Sequence, residues 1–310
     1  MKIYRNTNDF KAENPVLTVG TFDGVHLGHR KILSVLTQEA LKINGESVVF
    51  TLYPHPRKVL GKNSENLFLL NTLDEKIKLL EKAGVKHFII YPFTKEFANL
   101  TACEFINEIL YKKLKIKKLI VGYDHRFGKD GQANPGILKQ CATSAGIDVL
   151  KVDAFVFNEK KISSTVIRKA LFDGHIEEAN ACLGYDYTLS GEVISGNKIG
   201  RTIGFPTANI KIPEEKLIPA KGVYAVKVKI EEKILPGMLN IGTKPTVTSA
   251  ENIQTEVHIF NFSENLYGKN ISVSLKKYIR KEIKFPDTET LKQRLTEDKR
   301  LITKFFGIST

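Results

Sequence analysis

Hydrophobic positions in the first half of the chain come in two periods. Short apolar runs at Val16–Val19, Val48–Leu52, His87–Tyr91, Leu119–Gly122 and Val149–Asp153 read as strands buried on both faces. Between them, "LDEKIKLLEKAG" (73–84) and "NPGILKQCATSAG" (134–146) carry apolar residues at helical spacing. Pro135 can open the second helix and Gly146 close it. Strands alternating with helices predict a doubly wound parallel sheet covered on both faces.

The pattern changes in the second half. "YTLSGEVI", "TANIKI", "VYAVKVKI", "ILPGMLNIG", "TEVHIFNF" and "ISVSLKKYI" are short strands separated by Gly, Pro and Asn. Several alternate with period two; lysines separate Val226, Val228 and Ile230. This predicts a small closed antiparallel barrel. The final "DTETLKQRLTEDKRLITKFF" predicts a helix with Asp287 or Thr288 as N-cap. At 310 residues the chain exceeds what one core usually organises. The expected division is an α/β domain over 1–186, including a helical connector at 165–183, and a barrel with its helix over 187–310.

Composition narrows the classes. The chain is 42% hydrophobic but has no apolar run of membrane-spanning length. The start, "MKIYRNTNDFKAEN", lacks the apolar core of a secretion signal. Cys103, Cys141 and Cys182 show no metal or disulfide spacing, which suits a reducing cytoplasm. The net charge of +13 is spread: 27 Lys/Arg against 20 Asp/Glu over 1–185, and 20 against 14 over 186–310. Without a basic tail or patch, this favours attraction of small anionic substrates, or plain solubility, over nucleic-acid binding.

Candidate chemistry begins at "GTFDGVHLGH" (20–29), between a strand and a helix. A glycine-rich turn beyond the carboxyl end of a parallel strand offers backbone N–H groups to phosphate. His26 and His29, three apart, share a face of the first turn and can donate to phosphate oxygens as charge builds. Gly28 leaves room for a base or ribose against the helix. No P-loop competes: five residues lie between the glycines of "GYDHRFGKD", where a P-loop has four, and Asp130 follows Lys129.

Asp124 ends an apolar run, where it can hold a ribose, the substrate or Mg²⁺. In "ISSTVIR" (162–168), Ser163, Ser164, Thr165 and Arg168 can grip the phosphates of a leaving pyrophosphate. His55, between Pro54 and Pro56, either shapes a turn or meets the substrate.

"GTFDGVHLGH" resembles the signature of the HxGH nucleotidyltransferases. Followed in order by "YPHP" (53–56), "GYDHRFG" (122–128) and "ISSTVIR", it resembles the N-terminal module of the bifunctional prokaryotic riboflavin kinase/FAD synthetase family. "GNKIGRTIGFPTANI" (196–210), "PAKGVYAV", "LNIGTKPT", "TEVHIFNF", "LYG" and "YIRKEIKF" resemble that family's kinase module, so the likeness spans nearly the whole chain. At the junction Tyr185–Asp186 stands where the family shows Arg-Pro.

The resemblance implies ATP-dependent phosphorylation of riboflavin to FMN in the barrel. It then implies adenylylation of FMN to FAD, with release of pyrophosphate, in the α/β domain. His26 and His29 would act in the second step, with Gly20, Phe22, Asp23, Gly24, Gly28, Asp124, Ser164, Thr165 and Arg168 around the nucleotide. Glu256 would be the base of the first step, with Gly196, Gly200, Arg201, Gly204, Thr207 and Asn209 at its nucleotide. Thr207 and Asn209 alternate on a short strand and so suit Mg²⁺, bound with ATP. His55 and Arg280 are candidate flavin contacts. The implied partners are ATP, riboflavin and FMN, with no nucleic acid and no membrane.

Two other readings use fewer of these residues. One is a nucleotidyltransferase for another acceptor with an accessory barrel. The other is a flavin or RNA carrier that consumes no ATP.

Overall fold

The structure, a computed structural model, describes residues 1–61, 67–123, 135–157, 160–196, 199–243 and 253–308. The chain packs as two compact units, Met1–Ser164 and Thr165–Thr310.

The first unit runs β1 (Lys2–Tyr4), β2 (Val16–Val19), α1 (Leu27–Lys42), β3 (Ser47–Tyr53), α2 (Pro56–Leu60), α3 (Leu73–Lys82) and β4 (His87–Pro92). It continues through α4 (Lys95–Ala98), α5 (Ala102–Glu104) and a π-helical stretch at Phe105–Lys113 to β5 (Lys118–Gly122), α6 (Pro135–Ser144) and β6 (Asp148–Val152). A small antiparallel pair, β7 (Val156–Phe157) and β8 (Lys160–Lys161), follows. The large sheet has the order β1-β4-β3-β2-β5-β6, and every pairing is parallel.

Strand pleat explains the apolar runs. Val48 and Phe50 face a core built with Phe105, Ile109 and Leu138; Val49 faces the opposite core with Leu33, Leu36 and Leu80. Both faces are therefore dry, as the sequence predicts for this doubly wound sheet. The order reverses at β2, which has β3 on one side and β5 on the other. The crevice beyond the carboxyl ends of β2 and β5 is the topological switch point, where open α/β sheets bind ligands.

The second unit opens with α7 (Ser164–Phe172), whose first residue still belongs to the first unit, and α8 (Ile176–Leu183). Gly174, at φ 80°, separates the two helices. Next come β9 (Thr188–Ile194), α9 (Ile199–Thr202), β10 (Ala208–Lys211), β11 (Gly222–Ile230), β12 (Lys233–Thr243), β13 (Ile253–Ile259), β14 (Asn270–Arg280) and α10 (Thr288–Phe305). The strands close as the expected antiparallel barrel, in the order β10-β13-β12-β11-β14-β9. Asp287 caps α10 by accepting from the Thr290 N–H at 2.7 Å. Ile302 of that helix packs with Phe205, Val223, Ala225, Met238 and Phe260.

One expectation is overturned. Cys103 and Cys141 form a disulfide, their Cα atoms 5.2 Å apart, and the buried Cys182 takes no part in it. Their separation of 38 residues follows no motif; helix packing brings them together, which spacing alone cannot reveal.

Candidate active sites

The Gly20–His29 turn lies at the switch point of the sheet. Gly20 continues from β2 and donates to the Phe50 carbonyl at 3.0 Å. The turn holds Phe22 at φ 45°, Gly24 at φ 88° and Val25 at φ 35°. A left-handed backbone at the two non-glycine residues costs about 1–3 kcal/mol each, so surrounding contacts must enforce it.

Three clamps do so. The Asp23 carboxylate accepts the backbone N–H groups of Leu70 (2.9 Å) and Asn71 (3.3 Å). The Ser164 hydroxyl donates to the Asp23 carbonyl at 2.9 Å. The Lys76 ammonium, buried on α3, donates to the Thr21 carbonyl at 2.7 Å.

His26 is the N-cap of α1, not a residue of its first turn. Its Nδ1 accepts the His29 N–H at 3.3 Å. An accepting Nδ1 is bare, so the ring proton sits on Nε2 and can be donated. The two imidazoles stack 3.7 Å apart at 16°, and Phe22 lies 5.1 Å from the His29 ring. A Cβ at Gly28 would come within 3.2 Å of the His26 ring, so the glycine admits the folded-back imidazole.

Burial lowers His26 to about 4, partly opposed by its backbone hydrogen bond. Burial, then the charges of His26 and Lys76, push His29 well below the usual histidine value. Burial also lowers Lys76, against the nearby Asp23. The pair is therefore neutral near pH 7. His29 Nδ1 is buried with no hydrogen-bond partner among the described residues.

The other candidates of this module are placed as follows. Ser164 opens α7, Thr165 is exposed and Arg168 half-buried on the same helix. His55 caps α2, its Nδ1 accepting from the Arg57 N–H at 3.2 Å. Asp124 lies outside the described residues.

In the barrel, β10 pairs with β13 so that Asn209 lies opposite Glu256. Thr207 Oγ1 donates to Glu256 Oε2 at 3.3 Å. The carboxamide nitrogen of Gln254 donates to Asn209 Oδ1 and to Glu256 Oε1. These four side chains form one polar cluster. Gly196 lets the Asn209 amide pack against the backbone, where a Cβ would collide with it. Gly200 and Arg201 lie on α9, and Gly204 (φ 84°) turns the chain after it. Among the described residues no group of three or more His, Cys, Asp or Glu is arranged to hold a metal. The hydroxyl and amide oxygens of Thr207 and Asn209, beside a carboxylate, are the hard donors that Mg²⁺ accepts.

Two cavities meet at this cluster, and Thr207 lines both. One, of about 260 Å³, is mostly apolar: Ile203, Phe205, Val223, Met238, Ile283, Phe285, Leu291 and Leu295 surround it, with Glu256, His258 and Arg280. The other, of about 380 Å³, is more polar, with Arg201, Ser263, Glu264 and Asn265. On β13, Glu256 and His258 face the first cavity while Val257 and Ile259 face the second, as strand alternation requires.

His258 Nδ1 donates to the Pro206 carbonyl at 2.8 Å, and burial lowers its pKa. Arg280 reaches the apolar cavity, but its guanidinium is committed: Nε and Nη2 donate to buried Asp298 at 2.7–3.0 Å.

Sequence reasoning missed Lys76, Gln254 and His258. Lys76 was detectable as a charge on the stripe of Leu73, Ile77 and Leu80. Gln254 and His258 flank Glu256 at the period of two that defines its face. The residues closing the apolar cavity come from separate elements and leave no such signal.

Two family models match the chain: FAD synthetase over residues 9–166 and riboflavin kinase over residues 183–306. The bifunctional riboflavin kinase/FMN adenylyltransferase of Escherichia coli K12 is 39% identical, covering 100% of this chain and 99% of that protein. The proteins of that name from Haemophilus influenzae and Listeria monocytogenes are 40% and 36% identical, covering 94% and 97% of this chain and 94% and 95% of their own lengths. A crystal structure described as a macrolide-efflux protein from Streptococcus pneumoniae matches with a TM-score of 0.89 at 32% identity, over 97% of each chain. Among the described residues of this chain, no helix is long and apolar enough to cross a membrane.

Proposed function

From the premise that the chain belongs to the bifunctional riboflavin kinase/FMN adenylyltransferase family, we propose how its residues divide two consecutive reactions. The riboflavin kinase module phosphorylates riboflavin to FMN with ATP. The FAD synthetase module adenylylates FMN with a second ATP, giving FAD and pyrophosphate. The substrates are small molecules.

In the first step, riboflavin occupies the apolar cavity and ATP the polar one. Glu256 takes the proton of the ribityl hydroxyl; the oxygen attacks the γ-phosphorus, and the bond to the β-phosphate oxygen breaks, releasing ADP. Thr207 and Asn209 would hold Mg²⁺, which neutralises phosphate charge when bound. His258 fixes the Pro206 carbonyl and thereby the approach to Thr207. Arg280 shapes the cavity wall through Asp298. The observation that carries this reading is the contact between Glu256 and Thr207 at the edge shared by two cavities of unlike polarity.

In the second step, an FMN phosphate oxygen attacks the α-phosphorus of ATP and the bond to pyrophosphate breaks. His26 Nε2–H and His29 donate to the phosphate oxygens. The Ser164 hydroxyl proton is already given to Asp23, so Ser164 serves through its position at the start of α7, with its backbone N–H toward anions. Thr165, Arg168, Asp124 and His55 keep the roles that the family's motifs suggest. Use of ATP in both steps supports a cytoplasmic setting, where the Cys103–Cys141 pair would be subject to reduction.

The test is product analysis with riboflavin, ATP and Mg²⁺. Wild type yields FMN and FAD. His29→Ala should accumulate FMN, with FAD formation down roughly 10²–10³-fold. Glu256→Gln should make no FMN yet convert added FMN to FAD. Thr207→Ala should raise the Mg²⁺ needed for FMN formation alone. FMN formation at the wild-type rate by Glu256→Gln would refute the assignment of the base.

A further inference from the structure

One side chain outside the assigned set touches two members of it at once. Gln254 precedes Glu256 by two positions on β13, so both lie on one face of the strand. Asn209 lies across from Glu256 on β10. Both contacts of Gln254 are made by its carboxamide nitrogen, to Asn209 Oδ1 and to Glu256 Oε1. A carboxylate only accepts hydrogen bonds, so the group turned toward it is the NH2. That same NH2 requires an oxygen from Asn209, which fixes the orientation of the Asn209 amide. Gly196 backs this arrangement, since any Cβ there would strike the Asn209 amide.

Two electron-rich oxygens side by side need a donor or a cation between them. Here the donor is built into the strand. The remaining oxygen of the carboxylate, Oε2, accepts from Thr207 at 3.3 Å, a long contact.

We propose that Gln254 is a positioning residue for phosphoryl transfer, whose single NH2 group holds the Glu256 carboxylate and the Asn209 oxygen in register. The proposal rests on the reading of Glu256 as base and Asn209 as the cation-side oxygen. With Oε1 tied to Gln254, the proton of the attacking hydroxyl goes to Oε2. Gln254 itself lines neither the apolar nor the polar cavity. Its loss therefore acts on turnover rather than on flavin binding.

The test uses the full chain. Gln254→Met keeps the length and removes both donors. Gln254→Glu keeps the shape and sets a negative charge against Glu256. FMN formation is measured beside adenylylation of added FMN on the same preparation. Riboflavin affinity is read from flavin fluorescence without ATP or Mg²⁺.

The expected result is a fall in kcat for FMN formation of roughly 10²-fold in Gln254→Met, and a larger fall in Gln254→Glu. The KM for riboflavin, the metal-free riboflavin affinity and FAD formation from FMN should stay at wild-type values. A wild-type kcat in Gln254→Met overturns the proposal. So does a loss of metal-free riboflavin affinity in step with kcat, which would make Gln254 part of the flavin cavity. If the methionine variant unfolds, Gln254→Ala is judged by the same criteria. Glu256→Gln, run in parallel, separates the premises. If it keeps its turnover, the reading of the base fails first; if it loses turnover while Gln254→Met does not, the positioning role alone fails.

Discussion

His26 caps α1 with its imidazole buried, and this burial ties the turn to pH. The folded imidazole titrates at about 4, against 6.5 when unperturbed. Above pH 6.5 the ring is neutral in both states and the contribution to stability is complete. As pH falls from 6.5 to 4, the unfolded chain binds the proton first, and about 3 kcal/mol is lost. Below pH 4 there is no further loss from this group. Thermal unfolding of the full chain between pH 7 and 4 should show this slope, and His26→Asn, which keeps a capping oxygen, should flatten it. An equal slope in both proteins would contradict the buried His26 imidazole as its source.

Lys76 is the second residue with a consequence of its own. Removing its ammonium frees the Thr21 carbonyl and unlocks the strained turn. Lys76→Met should lower FAD formation from FMN by roughly 10²-fold while FMN formation is retained, and Lys76→Arg should recover part of the loss. Equal loss of both activities would mark a general folding defect. The histidine pair was legible because three-residue spacing and a glycine-rich turn are local facts. The clamp was not, because Asp23, Lys76 and Ser164 meet only through the fold.

At the scale of elements, the helices α7 and α8 decide where the chain can be divided. Asn180 of α8 donates to the Leu275 carbonyl at 2.8 Å and accepts the Tyr187 N–H at 2.7 Å. The Leu171 carbonyl of α7 accepts the Ala220 N–H at 3.0 Å. Asp186 pairs with Lys276 at 2.8 Å. A fragment of residues 165–310 should therefore fold and phosphorylate riboflavin without making FAD. A fragment of 187–310 loses these contacts and should unfold at least several degrees lower, as about 1 kcal/mol shifts a domain of this size by roughly 2–8 °C. Equal unfolding temperatures would mean that the helices do not support the barrel.

The strands and long helices were readable from periodicity, since burial of one or both faces writes a period of two, or an apolar run, into the chain. Three features were not. β1 is a three-residue edge strand with little burial. The π-helical stretch at Phe105–Lys113 keeps a helical apolar pattern and differs only in its hydrogen bonds. The 165–183 connector reads as one helix until Gly174 is seen at φ 80°.

For the whole molecule, the central claim is that one chain carries two sites that work without each other, joined by FMN. The acting side chains divide by sequence: His26 and His29 precede residue 165, and Thr207, Asn209 and Glu256 follow it, with Thr165 and Arg168 of the adenylylation motif at the start of the second unit. The most direct measurement mixes two full-length variants, His29→Ala and Glu256→Gln, with riboflavin, ATP and Mg²⁺. Alone, the first should stop at FMN and the second should leave riboflavin unchanged. Together they should make FAD, because FMN released by one chain is the substrate of the other. Absence of FAD from the mixture, while each variant keeps its remaining reaction, would contradict two independent sites.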